Sequence, residues 1–199
     1  MNYLSQIMNW IAVSLLLPVM ALLLLGFLSS LASLGGFCTF YLGVLRSRRQ
    51  RAELMRLIRG RQPFDEQLRD AGSFGRALKA MRKLEYDPIH CAKYLADWRA
   101  RREAELDRSR FLLKAGPMLG LMGTLIPMGP ALAGLASGDI GSMAYNMQIA
   151  FATTVIGVLI AGVELLVLTV KRRRFDAEYS DLCYVLDLKL REASDEHRA

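Results

Sequence analysis

The stretch that decides the fold runs from Gly116 to Gly162 and reads GPMLGLMGTLIPMGPALAGLASGDIGSMAYNMQIAFATTVIGVLIAG. It contains no Lys or Arg, and Asp139 is its only charged residue. Two apolar segments joined by a short Gly- and Ser-containing turn are typical of paired membrane spans, because a spanning helix needs about 20 apolar residues. The sequence therefore predicts two membrane helices packed side by side.

The charged residues are segregated along the rest of the chain. The chain has 199 residues, 53% of them hydrophobic, and a formal net charge of +7. Residues 1–45 carry no Asp, Glu, Lys or Arg, and all 26 Lys and Arg lie in 46–114 and 171–199. This pattern indicates a multi-span membrane protein in a lipid bilayer. The basic residues flank apolar segments and no nucleic-acid-binding motif accompanies them, so no nucleic acid is expected as a partner.

The first apolar run, Ile7–Leu45, is longer than one span requires. We interpret it as one span over about 8–34, with Pro18 as a tolerated kink. A hairpin of two short spans that turns near 29–36 is the alternative. Basic residues mark the cytoplasmic side of a membrane protein, and they follow the first and the last span. Three spans therefore place the N-terminus outside and the C-terminus in the cytoplasm.

Four segments follow from this interpretation. They are an N-terminal transmembrane helix (1–45), a cytoplasmic helical region (46–110), paired transmembrane helices (111–170, with spans at about 111–136 and 145–170) and a cytoplasmic helical tail (171–199). In the second segment, Phe64–Met81 has the spacing of an amphipathic helix. Asp87 and Pro88 resemble a helix N-cap and first turn, so one long helix is predicted from Pro88 to about Ala133.

An apolar face at the start of that long helix predicts a packing surface. It consists of Ile89, Ala92, Leu95 and Trp98. It packs either on the other cytoplasmic helices of the same chain or on a neighbouring subunit.

Small and polar residues in the paired spans are the candidate functional residues. Glycines and alanine at helical spacing predict a close helix–helix contact, and their positions are Gly116, Gly120, Gly123, Gly157 and Ala161. The polar positions are Thr124, Asn146, Gln148, Thr153, Thr154 and, near the end of the third span, Glu164. A threonine can bond its own helix, so a hydroxyl alone does not define a site. No Cys/His cluster, nucleophile motif or phosphate loop is present, so we predict no metal, no cofactor and no enzymatic activity.

Two motifs in the paired spans resemble a known family. LGLMGTL (119–125) and ATTVIGVLIAG (152–162) are similar to the MotA/TolQ/ExbB proton channel family, and most similar to its ExbB/TolQ-like subunits. The resemblance extends from Leu112 to Val170. It implies an all-α membrane protein with three transmembrane helices and long cytoplasmic helical extensions, assembled as a homo-pentameric ring around a central pore.

The resemblance also implies a function in the cytoplasmic (inner) membrane of a bacterium or archaeon. Such subunits use the proton motive force to drive work or protein transport in the cell envelope. They do so through a single-span ExbD-, TolR- or MotB-like partner, whose membrane-embedded aspartate takes up and releases protons. By position, Thr124 and Thr154 match the pore threonines of the family. A membrane scaffold or a non-motor transporter subunit is the alternative function.

The chain departs from the family pattern at three positions. Ile149 stands where the family has a glutamate, Pro127 where it has a glycine, and Val163-Glu164 where it has a proline. Glu164 lies seven residues before Lys171, about 10 Å along a helix. An acid at that depth has a role or a partner. The alternatives are a proton exit, a contact with a basic partner, or an ion pair with Lys114 or a tail arginine.

Asp139, at the outer turn, is interpreted as a turn residue. A role at the mouth of the pore is the alternative.

Overall fold

The computed structural model describes residues 2–60 and 72–196. These residues form four helices: α1 (Asn2–Arg59), α2 (Gly72–Lys83), α3 (Pro88–Ala136) and α4 (Ile140–Glu196). No strand occurs in these two ranges, so the predicted all-α fold is confirmed for the part of the chain that the structure describes. Three of the helices, α1, α3 and α4, are long and apolar enough to cross a membrane.

The first apolar run is one helix. α1 continues without interruption through 29–36, so the hairpin alternative is wrong. Pro18 lies inside α1. The amphipathic segment predicted over Phe64–Met81 falls partly on residues outside the described ranges. Its remainder belongs to α2, where Phe74 and Leu78 are buried.

Aspartate side chains define the beginnings of α3 and α4. Oδ1 of Asp87 accepts hydrogen bonds from the backbone N–H groups of Ile89 (3.0 Å) and His90 (2.9 Å). This N-cap confirms the start of the long helix that the sequence predicted. Oδ1 of Asp139 accepts from the N–H of Ser142 at 3.0 Å. Asp139 therefore caps α4, which confirms the interpretation of a turn residue.

The helices divide into two compact units, each considered by itself. The charged unit comprises Phe37–Asp107 and the chain from Thr169 onward, and the apolar unit comprises the chain up to Gly36 and Arg108–Leu168. The charged unit has a core contributed by α1, α2, α3 and α4. Its fully buried members include Leu54, Ile58, Phe74, Leu78, Met81, Cys91, Leu182 and Val185.

The α3 face in this core differs from the one predicted. Leu95 and Trp98 are buried, but Ile89 is 77% exposed and Ala92 is also exposed. Cys91 takes their place, because residues 91, 95 and 98 follow one another at helical spacing and form a single stripe. The alternative of packing within the chain is the one that the structure supports for Leu95 and Trp98.

The apolar unit has a small core and a large apolar surface. Its buried cluster consists of Val19, Leu23 and Ile160, against which partly buried side chains of α1, α3 and α4 pack. Large apolar side chains are exposed along all three helices, for example Leu17 (77%), Phe111 (69%) and Val155 (64%). A surface of this kind is unfavourable in water and suits hydrocarbon or a neighbouring protein.

Candidate functional site

Glycines allow α3 and α4 to approach each other closely within the apolar unit. A Cβ atom added at Gly116 would lie 2.8 Å from the carbonyl oxygen of Gly157. One added at Gly157 would lie 2.6 Å from the carbonyl oxygen of Gly116 and 3.0 Å from Cα of Gly120. No larger residue fits at Gly116 or Gly157 without moving the helices apart. We call this contact the glycine seam.

The contacts along the seam show that the two helices run antiparallel. Gly116 faces Gly157 and Ile160, whereas Gly123 faces Thr153. The residue numbers of the contacts thus increase along α3 while they decrease along α4. The seam leads to the turn at 137–139, where a Cβ at Gly134 would lie 3.1 Å from the backbone oxygen of Asp139.

Thr153 lies in the seam itself. Its side chain is 4% exposed, and a Cβ at Gly123 would lie 2.7 Å from its Cβ and Oγ1. The hydroxyl donates to the backbone oxygen of Ala150 at 2.9 Å. The structure thus places Thr153 between α3 and α4, packed against the position that must be glycine.

Thr124 and Thr154 lie to one side of the seam. Each follows a seam residue by one position, Thr124 after Gly123 and Thr154 after Thr153. One step along a helix turns the side chain by about 100°. Because the helices are antiparallel, the two 100° rotations have opposite directions when both helices are viewed along the same axis. Both threonines therefore lie on the same side of the helix pair. Both are half-buried in the single chain.

α1 covers the opposite side. Leu119 and Ile156, which each precede a seam glycine by one position, pack against the cluster that contains Val19 and Leu23 of α1. The side that carries Thr124 and Thr154 also bears exposed Leu121 and Val158. Within one chain, no described helix of the apolar unit covers this side, which we call the open side.

The threonine hydroxyls have defined donors and acceptors. Oγ1 of Thr124 donates to the backbone oxygen of Leu121 at 2.7 Å, and Oγ1 of Thr154 donates to that of Ala150 at 3.3 Å. Each proton is therefore used within its own helix, while the oxygen lone pairs remain available as acceptors. Two acceptor oxygens without a fixed charge suit the transient binding of a proton donor or a small cation.

The remaining candidate positions have simpler environments. Asn146 is half-buried, and its amide donates to the backbone oxygen of Ser142 at 2.8 Å. Gln148 is exposed and Ala161 is half-buried. Between 115 and 163 the sequence has one charged residue, the capping Asp139. The open side thus provides hydroxyls but no carboxylate of its own.

Glu164 lies on the side of α4 that contacts α1. It is fully buried, and its Oε2 accepts a hydrogen bond from Oγ of Ser33 at 3.3 Å. Among the described residues it forms no ion pair with Lys114, so that alternative is wrong. In the tail, Arg172 and Arg174 pair with Asp176 and Glu178. The partner Ser33 was not predicted from the sequence, although the serines in SSLAS (29–33) interrupt an otherwise apolar run.

Comparison with known proteins identifies a family. The family model described as the MotA/TolQ/ExbB proton channel family matches residues 78–182, which is more than half of the chain and includes the whole glycine seam. No curated protein and no solved structure matches the chain. The extent of the family match shows that the chain belongs to the MotA/TolQ/ExbB proton channel family.

Proposed function

We propose that this chain is the proton-channel subunit of an ExbB/TolQ-like motor that uses the proton motive force to do work in the cell envelope. In this proposal the subunit is a multi-pass protein of the bacterial or archaeal cytoplasmic membrane, with its N-terminus outside and its C-terminus in the cytoplasm. It does not act as an enzyme. The observation that carries the proposal is the placement of Thr124 and Thr154 together on the open side.

The chemistry of the open side calls for a partner. A proton pathway through a membrane needs a group that binds and releases protons, and the open side has only neutral hydroxyls. A single-span ExbD-, TolR- or MotB-like partner would supply it as a membrane-embedded aspartate. The acceptor oxygens of Thr124 and Thr154 would hydrogen-bond the protonated acid, and the absence of a fixed charge would let the acid exchange its proton.

The shape of the apolar unit supports an assembly of several copies. The open side carries threonines and exposed apolar residues, and α1 covers the other side of the pair. A ring that turns every open side inward would form a central pore lined by α3 and α4. We propose a homo-pentamer, with the charged unit and the tail in the cytoplasm.

A scaffold or non-motor transporter subunit is the second candidate. The observation in its favour is that the hydroxyls of Thr124, Thr153 and Thr154 all donate within α3 or α4. If those bonds are the whole role of the threonines, no proton needs to pass along the open side.

A double substitution separates the two candidates. Thr124→Val with Thr154→Val keeps the side-chain shape but removes both acceptor oxygens. We expect proton flux into proteoliposomes that contain the subunit and its partner to fall by about tenfold or more, as for the loss of groups used in proton transfer. Ser14→Ala is the matched control, because Ser14 also donates within its own helix, to Trp10 at 2.8 Å, but lies on α1. Unchanged flux in the double variant, with normal expression and assembly, would favour the scaffold.

The native mass of the complex tests the assembly. The subunit has a mass of 22.3 kDa. Expressed alone and then with single-span proteins encoded near it, it should form a pentamer, and the pentamer should capture a helix that bears a membrane-embedded acid. A monomer or dimer that captures none would contradict the motor.

A further inference from the structure

An apolar groove lies between α1 and α3 within the apolar unit. It has a volume of about 530 Å³, within the range of about 300–1,000 Å³ that is usual for ligand sites. Its apolar lining includes Leu22, Leu25, Phe111, Ala115, Met118 and Met122. Ser29 is the one residue with a polar side chain among the described residues that line it. Such walls favour a hydrocarbon chain, because a polar ligand would lose its hydration there without gaining hydrogen bonds.

The groove has about the length of one leaflet of a membrane. On α3 it extends from Phe111 to Met122, which are eleven positions apart, or about 17 Å along a helix. The hydrocarbon core of a bilayer is about 30 Å thick, so one leaflet contributes about 15 Å. α1 runs antiparallel to α3 here, because Ser29 contacts Arg108 and a Cβ at Gly26 would lie 3.9 Å from Cδ2 of Leu112. The groove therefore follows the helix axes, as the acyl chains of a bilayer do.

Arg108 lies at one end of the groove. It precedes three groove residues of α3, Leu112, Ala115 and Leu119, by four, seven and eleven positions and therefore shares their face. Its Nε donates to Oγ of Ser29 at 3.2 Å, and one terminal nitrogen donates to the same oxygen. Because Ser29 also lines the groove, these hydrogen bonds hold the guanidinium group at the end of the groove.

The guanidinium group of Arg108 has donors left for an anion. The side chain is exposed, and it forms no salt bridge within the described part of the chain. Two of its five N–H groups donate to Ser29. Guanidinium groups bind phosphate through pairs of N–H donors. A cation of this kind at the end of an apolar groove suits an amphiphile that carries a phosphate group.

We propose that the groove binds a phospholipid of the membrane leaflet on the Arg108 side. One acyl chain lies between α1 and α3, and the phosphate binds the guanidinium group of Arg108. The inference goes beyond the proposed function and does not rest on it, because the groove includes neither Thr124 nor Thr154 and needs no partner protein.

A second copy of the chain is the alternative occupant. Its apolar side chains could cover the groove, but its apolar unit offers no exposed carboxylate to Arg108. The acidic residues of this unit are Asp139, which lies beyond the far end of α3, and Glu164, which is fully buried. Charge complementarity therefore favours the phospholipid.

Native mass spectrometry of the full chain in detergent tests the recognition of the phosphate. The probe is dipalmitoyl phosphatidylglycerol added to delipidated protein, and dipalmitoylglycerol supplies the same chains without a phosphate. We expect one phosphatidylglycerol per chain and binding of dipalmitoylglycerol that is weaker by about tenfold or more, as for the loss of a charge-assisted hydrogen bond. Arg108→Gln should weaken phosphatidylglycerol binding by a similar factor.

Arg101→Gln is the matched control for Arg108→Gln. Arg101 is also exposed and lies on the same face of α3, seven positions earlier, but does not line the groove. It should bind phosphatidylglycerol as the wild type does. Equal losses in the two variants, or equal binding of the two lipids by the wild type, would overturn the proposal.

A substitution that fills the groove tests the position of the acyl chain. Gly26 lines the groove, and a Cβ added there would lie 3.4 Å from Cδ1 of Ile160, which is an ordinary contact. We expect Gly26→Leu to weaken phosphatidylglycerol binding by about tenfold, because the leucine and the acyl chain compete for one space. Gly35→Leu, on the same helix with nothing within 4 Å of the added Cβ, should bind normally. Equal binding by both variants would contradict the site.

Photocrosslinking locates the lipid in the wild type and needs no substitution. One equivalent of phosphatidylglycerol with a diazirine on an acyl chain is added, and labelled peptides are identified by mass spectrometry. We expect labels mainly within 22–29 and 111–122. Labels mainly at other exposed apolar positions, such as Val155 or Leu165 of α4, would show a nonspecific lipid layer. An assembled protein that binds no phosphatidylglycerol would show that a neighbouring copy covers the groove; either result would overturn the proposal.

Discussion

Two buried glutamates on the same helix have opposite environments. Among the described residues, Glu164 of the apolar unit has one hydrogen bond, to a serine, and one oxygen without a hydrogen-bond partner. Glu178, in the charged unit, is 2% exposed and accepts from Nε of Arg174 at 2.7 Å and from Oγ of Ser73 at 2.9 Å. In the part of the chain that the structure describes, Glu164 is buried without a charge partner and Glu178 with one. Burial alone therefore does not define the role of an acid; its partners do.

The packing of the two units that contain these glutamates also differs. The charged unit, which contains Glu178, has a core of large side chains and further ion pairs such as Arg51–Asp181 at 3.3 Å. The apolar unit relies on backbone contact along the glycine seam and has few buried side chains. We expect each unit to respond strongly to a different kind of substitution.

The largest expected effect is at Glu178. Glu178→Gln removes the carboxylate that pairs with Arg174 at 2.7 Å, and the Arg174 side chain is only 11% exposed. We expect a loss of about 3 kcal/mol in the free energy of unfolding of the charged unit. Fluorescence of Trp98 reports this unit, since its ring stacks on that of Tyr179; a Trp10→Phe background removes the other tryptophan.

The control for Glu178→Gln is the same substitution in a solvent-exposed Arg–Glu ion pair. Glu103 pairs with Arg99 at 3.1 Å, with both side chains more than half exposed. Glu103→Gln should change stability by no more than about 0.5 kcal/mol. Equal effects of Glu178→Gln and Glu103→Gln would mean that the buried pair is not a structural ion pair.

The glycine seam gives the next largest effect. Gly157→Ala places a methyl group 2.6 Å from the carbonyl oxygen of Gly116, so the helices must separate. We expect a cost of about 1–3 kcal/mol in thermal unfolding of the apolar unit in detergent. Gly162→Ala, on the same helix with nothing within 4 Å of the added Cβ, should be neutral or stabilising. The reverse order would mean that the seam is not the packing contact.

Glu164→Gln should have a small effect on stability, in contrast to Glu178→Gln. The glutamine side chain keeps the shape of Glu164, and its amide oxygen can still accept the hydrogen bond from Ser33. We expect a change below about 1 kcal/mol, since the hydroxyl of Ser33 keeps its partner. A loss as large as that of Glu178→Gln would show that the carboxyl group of Glu164 has a charged partner.

The sequence predicted what depends on local pattern and missed what depends on contacts across the chain. The start of α3 at Pro88 followed from the Asp87 cap, and the three long apolar helices followed from composition. Ile89 and Ala92 were predicted to lie in the core, but Cys91 lies there. The outcome depended on which face of α3 contacts α2 and α4. The distinction between Thr153 in the seam and Thr154 beside it required the position of Gly123. The pairing of Glu164 with Ser33 joins residues 131 positions apart.

The smallest expected effect is on the alkylation rates of the cysteine thiols. It tests how far water enters the core of the charged unit. Burial, and secondarily the charge of Asp87, raises the pKa of the Cys91 thiol above its ordinary value of 9.0. Cys183, on α4 of the same unit, is partly exposed. We expect Cys91 in the native protein to be alkylated more slowly than Cys183 by about tenfold or more, because reaction needs local opening. Mass spectrometry of the labelled peptides measures both rates.

The raised pKa of Cys91 also sets the sign of a pH effect. The folded state keeps a proton that the unfolded chain releases as the pH rises past 9.0, so this contribution to stability is complete below that pH and decreases above it. The Trp98 signal should therefore show easier unfolding at high pH, and Cys91→Ala should reduce that dependence. If Cys91 is alkylated as fast as Cys183 near neutral pH, the core opens readily to water, and the burial of Glu178 beside Arg174 would no longer distinguish it from an exposed pair.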